Sequence, residues 1–458
     1  MAEAAAEEKT PEVSTSKTIV LVGFGGYDKL KIQQKPKPKA EKGEVVVKVK
    51  ATGINFAELM ARQGFYDRTP KTPCVLGFEA AGVVEELGEE VADLKVGDRV
   101  GVMSSFGCWS EFIAVPALGV FPLPDEMSFE DAAALPVNYL TAYLMLHDFG
   151  NLRKGKSVLV HMAAGGVGIA ATQLCKCVED VTVFGTCSAS KHDVVKEEGV
   201  THPIDYHTQD YAAEIKKISP EGVDIVLDPL GGADSSKGFT LLKPMGKIIH
   251  FGAANLVGGP GRSILKAAKH WWDTKNINPM SLMTQNRAVC GFHLGHLDDP
   301  QFLRDTMLEI YELYKQGKVK PRIDSVWAFE DVGRAMAQMH DRKNIGKVIL
   351  SPEKDPLPEP EDEKKKKKKK DKKEDKKKDE DKEEKKEEAK ADEAKAEEAK
   401  EGEEAKEDKA EEKKEENEAK EEEAKKEDEA PKEEEAKTEE KPAEAAAEEG
   451  EKKEKTEE

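Results

Sequence analysis

The segment Val158-Leu159-Val160-His161-Met162-Ala163-Ala164-Gly165-Gly166-Val167-Gly168-Ile169-Ala170 decides the fold class of this chain. An apolar β-branched run leads into a glycine cluster, and residues that favour a helix follow. Because glycine has no Cβ, the backbone of such a turn can approach a pyrophosphate, and the next helix N-terminus offers N–H donors. A tight turn without a ligand would look similar locally. The second apolar run at 181–184 favours a dinucleotide-binding strand–turn–helix unit.

The composition divides the chain into a nearly neutral body and a charged tail. The 458 residues include 92 acidic and 72 basic side chains, of which 48 and 32 lie between Glu353 and Glu458. A body that is close to neutral argues against nucleic-acid binding. After Leu357 the tail has no aromatic residue and no aliphatic side chain larger than alanine. Residues 353–458 are therefore expected to be a disordered or charged-helical low-complexity tail.

The sequence carries no sign of export or of membrane insertion. No apolar run reaches the length of a membrane span, and the N-terminus lacks a signal-peptide pattern. The six cysteines are scattered, without Cys-x-x-Cys spacing. These features predict a cytoplasmic protein with reduced thiols.

The hydrophobic pattern predicts two kinds of folding unit in the body. The first unit is β-rich, with strands expected at 20–22, 44–50, 80–84 and 100–103. From Asn138 helices and strands alternate, as in a doubly wound parallel sheet, with a helix at 140–149 and strands at 157–161, 181–185, 224–227 and 247–251. The last elements, expected to return to the first unit, are helices at 302–316 and 330–339 and a strand at 347–350.

Three motifs together resemble those of one enzyme superfamily. They are Gly53-Ile54-Asn55-Phe56-Ala57-Glu58-Leu59-Met60-Ala61-Arg62-Gln63-Gly64, the segment Gly77-Phe78-Glu79-Ala80-Ala81-Gly82-Val83-Val84 continuing to Gly97-Asp98-Arg99-Val100, and the glycine turn. Over roughly 17–350 the chain is similar to the zinc-free quinone oxidoreductase branch of the medium-chain dehydrogenase/reductases. Within that branch, the body and the Lys/Glu-rich tail resemble the vesicle amine transport family of synaptic vesicle membrane proteins.

The resemblance implies an α/β fold in which a GroES-like, β-rich catalytic domain is interrupted by a Rossmann doubly wound parallel-sheet domain. The expected boundaries are a flexible N-terminus at 1–16, the GroES-like domain at 17–137, the Rossmann NADP-binding domain at 138–289, the return to the catalytic domain at 290–352 and the tail at 353–458. Kinship also implies a homodimer formed through the edges of the Rossmann sheet.

Many relatives bind zinc through a Gly-His-Glu motif, so the residues at that position decide whether this chain can bind zinc in the same way. The corresponding position here is Phe78, which cannot ligate a metal, and no closely spaced four-cysteine lobe occurs in the sequence. The histidines His147, His161 and His293 are interpreted as structural or cleft residues. We therefore expect no metal, and an acceptor that takes hydride without Lewis-acid help, namely a quinone or an enone.

The resemblance places Asn55 and Tyr66 on the acceptor side as candidate catalytic residues. Both keep a structural alternative, since Asn55 could brace its loop and Tyr66 could be a packed aromatic. Met60 stands where several bacterial relatives carry an aromatic residue, which implies different or poorer stacking on the acceptor.

NADPH is the expected cofactor because no carboxylate follows the strand at 181–185, where NAD enzymes place the acid that binds the ribose hydroxyls. Ser188 and Lys191 follow instead and suit a 2′-phosphate, although a lysine there could also be merely solvated. By resemblance Tyr206 contacts the same phosphate. The other implied cofactor residues are Gly165, Gly166 and Val167 at the glycine turn, Thr141 near the nicotinamide, Phe251 and Gly252 at a later strand end, and Asn344 near the closing strand.

The sequence thus predicts an NADPH-dependent, zinc-independent oxidoreductase that reduces quinones or enones by hydride transfer. The resemblance keeps a second hypothesis open: a nucleotide-binding peripheral adaptor at vesicle or mitochondrial outer surfaces, with little turnover, that affects trafficking or mitochondrial fusion through the fusion machinery. The stretch from Gly258 to Trp272, with lysines beside Trp271 and Trp272, is either a membrane-interface segment or a lip of the substrate cleft or a dimer contact.

Overall fold

The computed structural model describes residues 14–256 and 278–358. The predicted tail beyond Pro358 and the predicted interface segment with its two tryptophans lie outside these described residues. Within them, no helix is both long enough and apolar enough to span a bilayer.

Strands dominate the first part of the described chain, and helices alternate with strands after it. The strands are β1 (Thr15–Leu21), β2 (Leu30–Pro36), β3 (Glu44–Ile54), β4 (Cys74–Val75), β5 (Glu79–Leu87), β6 (Arg99–Met103), β7 (Phe112–Pro116), β8 (Val120–Pro122), β9 (Ser157–Val160), β10 (Thr182–Cys187), β11 (His202–Asp205), β12 (Val223–Asp228), β13 (Leu242–His250), β14 (Ala288–Gly291), β15 (Ile323–Ala328) and β16 (Lys347–Ser351). The α-helices are α1 (Phe56–Gln63), α2 (Phe129–Ala134), α3 (Pro136–Leu144), α4 (Gly166–Lys176), α5 (His192–Glu198), α6 (Tyr211–Ile218), α7 (Ala233–Thr240), α8 (Pro279–Gln285), α9 (Pro300–Lys315) and α10 (Val332–His340).

Six parallel strands form one sheet in the order β11-β10-β9-β12-β13-β14. Numbered along the chain within the sheet, this is the 3-2-1-4-5-6 order of a Rossmann fold. The order reverses between β9 and β12, and ligands of such sheets bind in the crevice beyond the carboxyl ends of the strands. The predicted doubly wound sheet is confirmed, whereas β11 and β14, each four residues long, had no counterpart among the predicted strands.

The glycine turn joins β9 to α4. Helix α4 begins at Gly166, with Gly165 in an extended conformation as its N-cap residue. Ala170 and Ala171 of α4 are fully buried, and such small side chains allow the helix to pack closely on its neighbours. A Cβ on Gly168 would lie 2.4 Å from the carbonyl oxygen of Met162, so this packing requires glycine.

The remaining strands form a β-rich part around a seven-stranded sheet, which runs β15-β16-β3-β5-β6-β8 with β7 paired to β3, and a three-stranded sheet, β2-β1-β4. Strand β16 is antiparallel to β3, with Val348 opposite Ile54. The end of the described chain thus lies in the same sheet as the early strands. The predicted domain boundaries stay a prediction, and the one expected at 289/290 falls inside β14.

Candidate active-site cleft

A cleft of ≈ 1220 Å³ opens at the point where the strand order of the Rossmann sheet reverses. All twelve residues predicted for the site line it: Asn55, Tyr66, Thr141, Gly165, Gly166, Val167, Ser188, Lys191, Tyr206, Phe251, Gly252 and Asn344. The cleft has two chemically different sides. The glycine side consists of the lining residues within 161–168, 186–191 and 250–252, together with Tyr206, Arg342, Asn344 and Gly346; the aromatic side consists of Asn55, Tyr66, Phe78, Phe106 and His293.

The glycine side presents backbone rather than side chains at the start of α4. A Cβ on Gly166 would lie 2.5 Å from Nδ2 of Asn138, so the position has no room for one. The first N–H groups of an α-helix lack intrahelical acceptors and carry the positive end of its dipole. Gly346 N donates to Ala164 O at 2.8 Å and so ties the loop before β16 to this turn. The arrangement can hold a pyrophosphate.

Basic and hydroxyl groups gather beyond the carboxyl end of β10. Lys191 Nζ donates to the carbonyl oxygens of Arg342 and Asn344, at 2.7 Å each. Partial burial lowers the pKa of Lys191 from its usual value. Asp205, at the end of β11, uses its carboxylate to accept from Thr208 Oγ1 at 2.8 Å within its own turn. No carboxylate follows β10 directly, as the sequence indicated.

Arg342 lines this corner of the cleft and was not predicted. It has a φ of 55°, in the left-handed region, and lies in the loop that carries Asn344. The run Asp341-Arg342-Lys343-Asn344 has the composition of a turn beside the closing strand, and that was the available signal.

Two histidines lie at the ends of Rossmann strands: His161, which was interpreted as a structural or cleft residue, and His250, for which no role was predicted. His161 is 2% exposed, with Nδ1 3.0 Å from Thr186 Oγ1, and its Nε2 has no partner. Burial lowers the pKa of His161, so the ring is neutral. His250 Nδ1 lies 2.9 Å from Oδ2 of the buried Asp228. Burial opposes ionisation of Asp228, but hydrogen bonds from His250 and Ser235 prevail and lower its pKa to about 2.

Four rings form the aromatic side. The Tyr66 ring centroid lies 5.6 Å from that of Phe78, 6.4 Å from that of Phe106 and 5.4 Å from that of His293, on which it stacks at 27°. Phe78 and Phe106 are 5.1 Å apart. The position at which the resemblance implies a metal-binding histidine therefore belongs to a packed cluster of rings. Burial raises the pKa of Tyr66 to about 12, so its hydroxyl keeps its proton and can donate it in a hydrogen bond.

A buried charge network lies behind the aromatic side and holds Asn55. Lys347, 3% exposed, forms an ion pair with the fully buried Glu79. Lys347 Nζ donates to Asn55 Oδ1 at 2.6 Å, and Asn55 Nδ2 donates to Glu79 Oε1 at 2.9 Å. The second oxygen of Glu79 accepts from Val137 N at 2.8 Å. Both ends of the Asn55 amide are thus fixed by charges that were not predicted.

Glu58 completes this network from the first turn of α1. Its Oε2 accepts from Asn55 N at 2.6 Å, whereas Oε1 is buried without a hydrogen-bond partner. Burial raises the pKa of Glu58 to about 8; the nearby positive charge of Lys347 lowers it only in part. Glu58 is therefore largely protonated at neutral pH. Glu58 and Glu79 belong to motifs that carried the resemblance, and a carboxylate next to Phe78 was the available signal.

Comparison with known proteins agrees with this fold and cleft. Residues 198–350 match the zinc-binding dehydrogenase family, and residues 41–125 match the alcohol dehydrogenase GroES-like domain. The chain is 58% identical over 352 residues to the synaptic vesicle membrane protein VAT-1 homolog of Danio rerio, and the match covers 76% of this chain and 73% of that protein.

Two solved structures resemble the protein over the same region. Human synaptic vesicle membrane protein VAT-1 homolog-like protein has a TM-score of 0.66 and 44% identity, and the match covers 75% of this chain and 99% of that one. Escherichia coli quinone oxidoreductase complexed with NADPH also has a TM-score of 0.66, with 27% identity over 73% of this chain and all of that one (100%).

The GroES-like domain, the Rossmann sheet and the cleft lined from both define an oxidoreductase of the medium-chain dehydrogenase/reductase class, with a nucleotide-binding domain and a small-molecule substrate. The chain belongs to the family of synaptic vesicle membrane protein VAT-1 homologs. The predicted family and fold class are confirmed. Although one matched family is described as zinc-binding, Phe78 offers no ligand at the expected position, so the residues there do not fit a metal ion.

Proposed function

We propose that the protein is an NADPH-dependent, zinc-independent oxidoreductase that reduces quinones or enones. One observation carries the proposal: the same cleft joins a glycine turn, at the start of a helix, to a wall of aromatic rings that includes the expected metal position. A planar, conjugated acceptor can stack against such rings and needs no Lewis acid, because its developing negative charge delocalises.

The proposed cofactor site follows from the glycine side. Gly165 and Gly166 line the cleft at the start of α4, where the first N–H groups of the helix lack intrahelical acceptors and can bind the pyrophosphate. Bound NADPH supplies a hydride. In the proposed complex, the pyrophosphate contacts Gly165, Gly166 and Val167. The 2′-phosphate contacts Ser188, Lys191, Tyr206 and Arg342. The nicotinamide end lies beside Thr141, Phe251 and Gly252, and Asn344 lies in the closing loop. Kinship with the quinone oxidoreductase that was solved with NADPH supports this choice.

On the aromatic side, Tyr66 and Asn55 donate hydrogen bonds to the acceptor oxygen. The raised pKa of Tyr66 keeps its hydroxyl protonated. One of the two amide hydrogens of Asn55 goes to Glu79, and the other is the one offered to the acceptor. Lys347 and Glu79 act as positioning residues, since they fix the amide in one orientation before the acceptor binds.

Steady-state oxidation of NADPH by the full-length protein, against a panel of quinones and enones, tests this function. We expect turnover that falls roughly 10²-fold in Tyr66→Phe, because a preorganised donor to an oxyanion is worth about that much. Tyr143→Phe is the matched control, since its hydroxyl donates to Glu309 and it does not line the cleft. Equal turnover in the two variants would rule out Tyr66 as a donor to the acceptor, whereas NADPH binding without turnover of any acceptor would favour the adaptor hypothesis.

We also propose that the protein is a homodimer and a peripheral membrane protein. Strand β14 is an edge of the Rossmann sheet in the described part, and Met280 and Met283 on the preceding helix α8 are 60% and 69% exposed. An open strand edge beside exposed methionines suits pairing with a second copy. The relatives are named synaptic vesicle membrane proteins, which supports peripheral attachment. Contact with the mitochondrial fusion machinery stays a prediction from resemblance.

A further inference from the structure

Two histidines and an aspartate meet at the edge of the aromatic side. His293 precedes the short 3-10 turn Leu294–His296, and Asp67 directly follows Tyr66 in the chain. The candidate ligand atoms of Asp67, His293 and His296 all lie within 4.8 Å of one another. His296 Nε2 is 3.0 Å from Asp67 Oδ2. All three residues line the cleft.

The local backbone suits this cluster. A 3-10 helix has about three residues per turn, so side chains three positions apart lie on the same side. The rings of His293 and His296 accordingly lie 4.5 Å apart. Stacking on Tyr66 holds the first ring in place. Gly295 lies between them, and a Cβ there would be 2.9 Å from the Tyr66 hydroxyl oxygen, so the turn is fitted against Tyr66.

Stability of the fold does not account for the cluster. The side chains of His296 and Asp67 are 52% and 66% exposed, and exposed pairs of this kind add little to stability. Two imidazoles and a carboxylate are, however, the ligand set of zinc sites that keep a fourth position open. Two ligand atoms of a tetrahedral zinc ion, each about 2.0–2.1 Å from it, lie about 3.4 Å apart, so the aspartate–histidine pair needs little movement.

We propose that Asp67, His293 and His296 bind a divalent transition metal of zinc-like preference, with the fourth coordination position facing the cleft. This site differs from the one that the family description implies, because that position is held by Phe78. The expectation of no metal rested on Phe78 and on interpreting His293 as a structural or cleft residue. The spacing His293-Leu294-Gly295-His296 was the overlooked signal in the sequence.

Occupancy of the site has a consequence for the cleft. A metal held by His293 lies beside Tyr66, which the proposed function assigns to the acceptor. Zinc should therefore inhibit acceptor reduction competitively and leave NADPH binding unchanged. This consequence rests on the proposed function, whereas metal binding does not.

Calorimetric titration of the full-length protein with Zn²⁺ tests the site. Excess Ca²⁺ is included to occupy the tail, whose 48 carboxylates would otherwise bind zinc, because Ca²⁺ prefers oxygen ligands and imidazole favours zinc. We expect one tight equivalent whose affinity falls at least tenfold in His293→Ala and in His296→Ala, since loss of even outer partners costs roughly 10–100-fold. His207→Ala, which removes an exposed histidine outside the cleft, is the matched control and should bind normally.

Cobalt gives an independent readout. Co²⁺ bound by two imidazoles and a carboxylate should produce the intense visible absorption of a tetrahedral site, and Zn²⁺ should displace it. Two results would overturn the proposal. One is tight zinc binding that survives in the His293→Ala/His296→Ala double variant, and the other is no tight zinc binding to the unmodified protein in the presence of excess Ca²⁺. Because titration needs no turnover, this result stays distinct from failure of the proposed reductase activity.

Discussion

The two sides of the cleft are built in different ways. The glycine side consists largely of backbone and short segments that follow individual Rossmann strands, with glycines where a Cβ would collide. The aromatic side is assembled from residues as far apart as Asn55 and His293, and it rests on charges buried behind it, among them Lys347, which lies 292 positions from Asn55. The glycine turn therefore depends on the absence of side chains, and the aromatic side depends on a network of them.

The largest effect is expected from Lys347→Met, which removes the partner of a buried carboxylate. Breaking a buried ion pair from one side costs about 3–5 kcal/mol, because the remaining charge is left uncompensated. Chemical denaturation should show this loss in the free energy of unfolding. Lys17→Met, which removes a partly exposed partner of Glu330, should cost less than about 1 kcal/mol. A loss for Lys347→Met as small as that of the control would contradict the dependence of the aromatic side on buried charge.

Glu58 gives the aromatic side a pH dependence. Its pKa is about 8 when folded, above the ordinary value of 4.5. The folded state therefore binds the extra proton, and the stability that this group contributes is complete below about pH 4.5 and is lost as the pH rises to about 8. The slope approaches about 1.4 kcal/mol per pH unit between these values. A plot of the free energy of unfolding against pH should be flatter for Glu58→Gln than for the wild type.

Glu89→Gln, at an exposed position, is the control for that series and should keep the wild-type slope. If the free energy of unfolding depends on pH in the same way in the wild type and in Glu58→Gln, Glu58 is ionised in the folded protein.

Gly168→Ala tests the glycine side. Alanine favours a helix by about 1 kcal/mol over glycine, which alone would stabilise α4. The new Cβ would lie 2.4 Å from Met162 O and 2.7 Å from Ala163 Cα. These are backbone atoms, and moving them costs free energy. We expect a net loss of about 1–3 kcal/mol in the free energy of unfolding, with weaker dinucleotide binding. Gly238→Ala in α7 meets only side-chain atoms, at 3.2–3.3 Å, and should be nearly neutral; equal losses in both variants would refute the close packing of α4 as the cause.

The smallest effect concerns cofactor choice. Lys191→Ala should weaken NADPH binding roughly 10–100-fold, because it removes a charge-assisted hydrogen bond to the 2′-phosphate, and should change NADH binding little. Fluorescence titration with NADPH and with NADH measures the ratio of their dissociation constants. Lys196→Ala, an exposed lysine on α5, is the control. A parallel fall in both affinities would show that Lys191 acts through its bonds to Arg342 and Asn344 rather than through the phosphate.

The parts of the site that are formed by one continuous segment of the chain could be predicted from the sequence. The turn from Val158 to Ala170 carries its strand, its glycines and its helix in one run, so the fold class followed, and Ser188 and Lys191 could be located because they come after a predicted strand. The buried network was not visible, because Lys347 lies in a strand that could equally expose it, and its partner Glu79 becomes a neighbour only through pairing of distant strands. Arg342 and the cluster of Asp67 with His293 and His296 were missed because their local signals, a turn composition and a His-x-x-His spacing, do not show that the fold brings them to the cleft.

Direct transfer of deuterium is the measurement that tests the proposed reductase most directly. The full-length protein would be given an enone and NADPH deuterated at C4 of the nicotinamide, on each face in turn, and the product analysed by mass spectrometry and NMR. We predict that deuterium from one face appears in the product at the carbon β to the carbonyl, and that the Asn55→Ala/Tyr66→Ala variant transfers far less. Oxidation of NADPH without label in the product, or an equal yield from that variant, would contradict the proposed reductase.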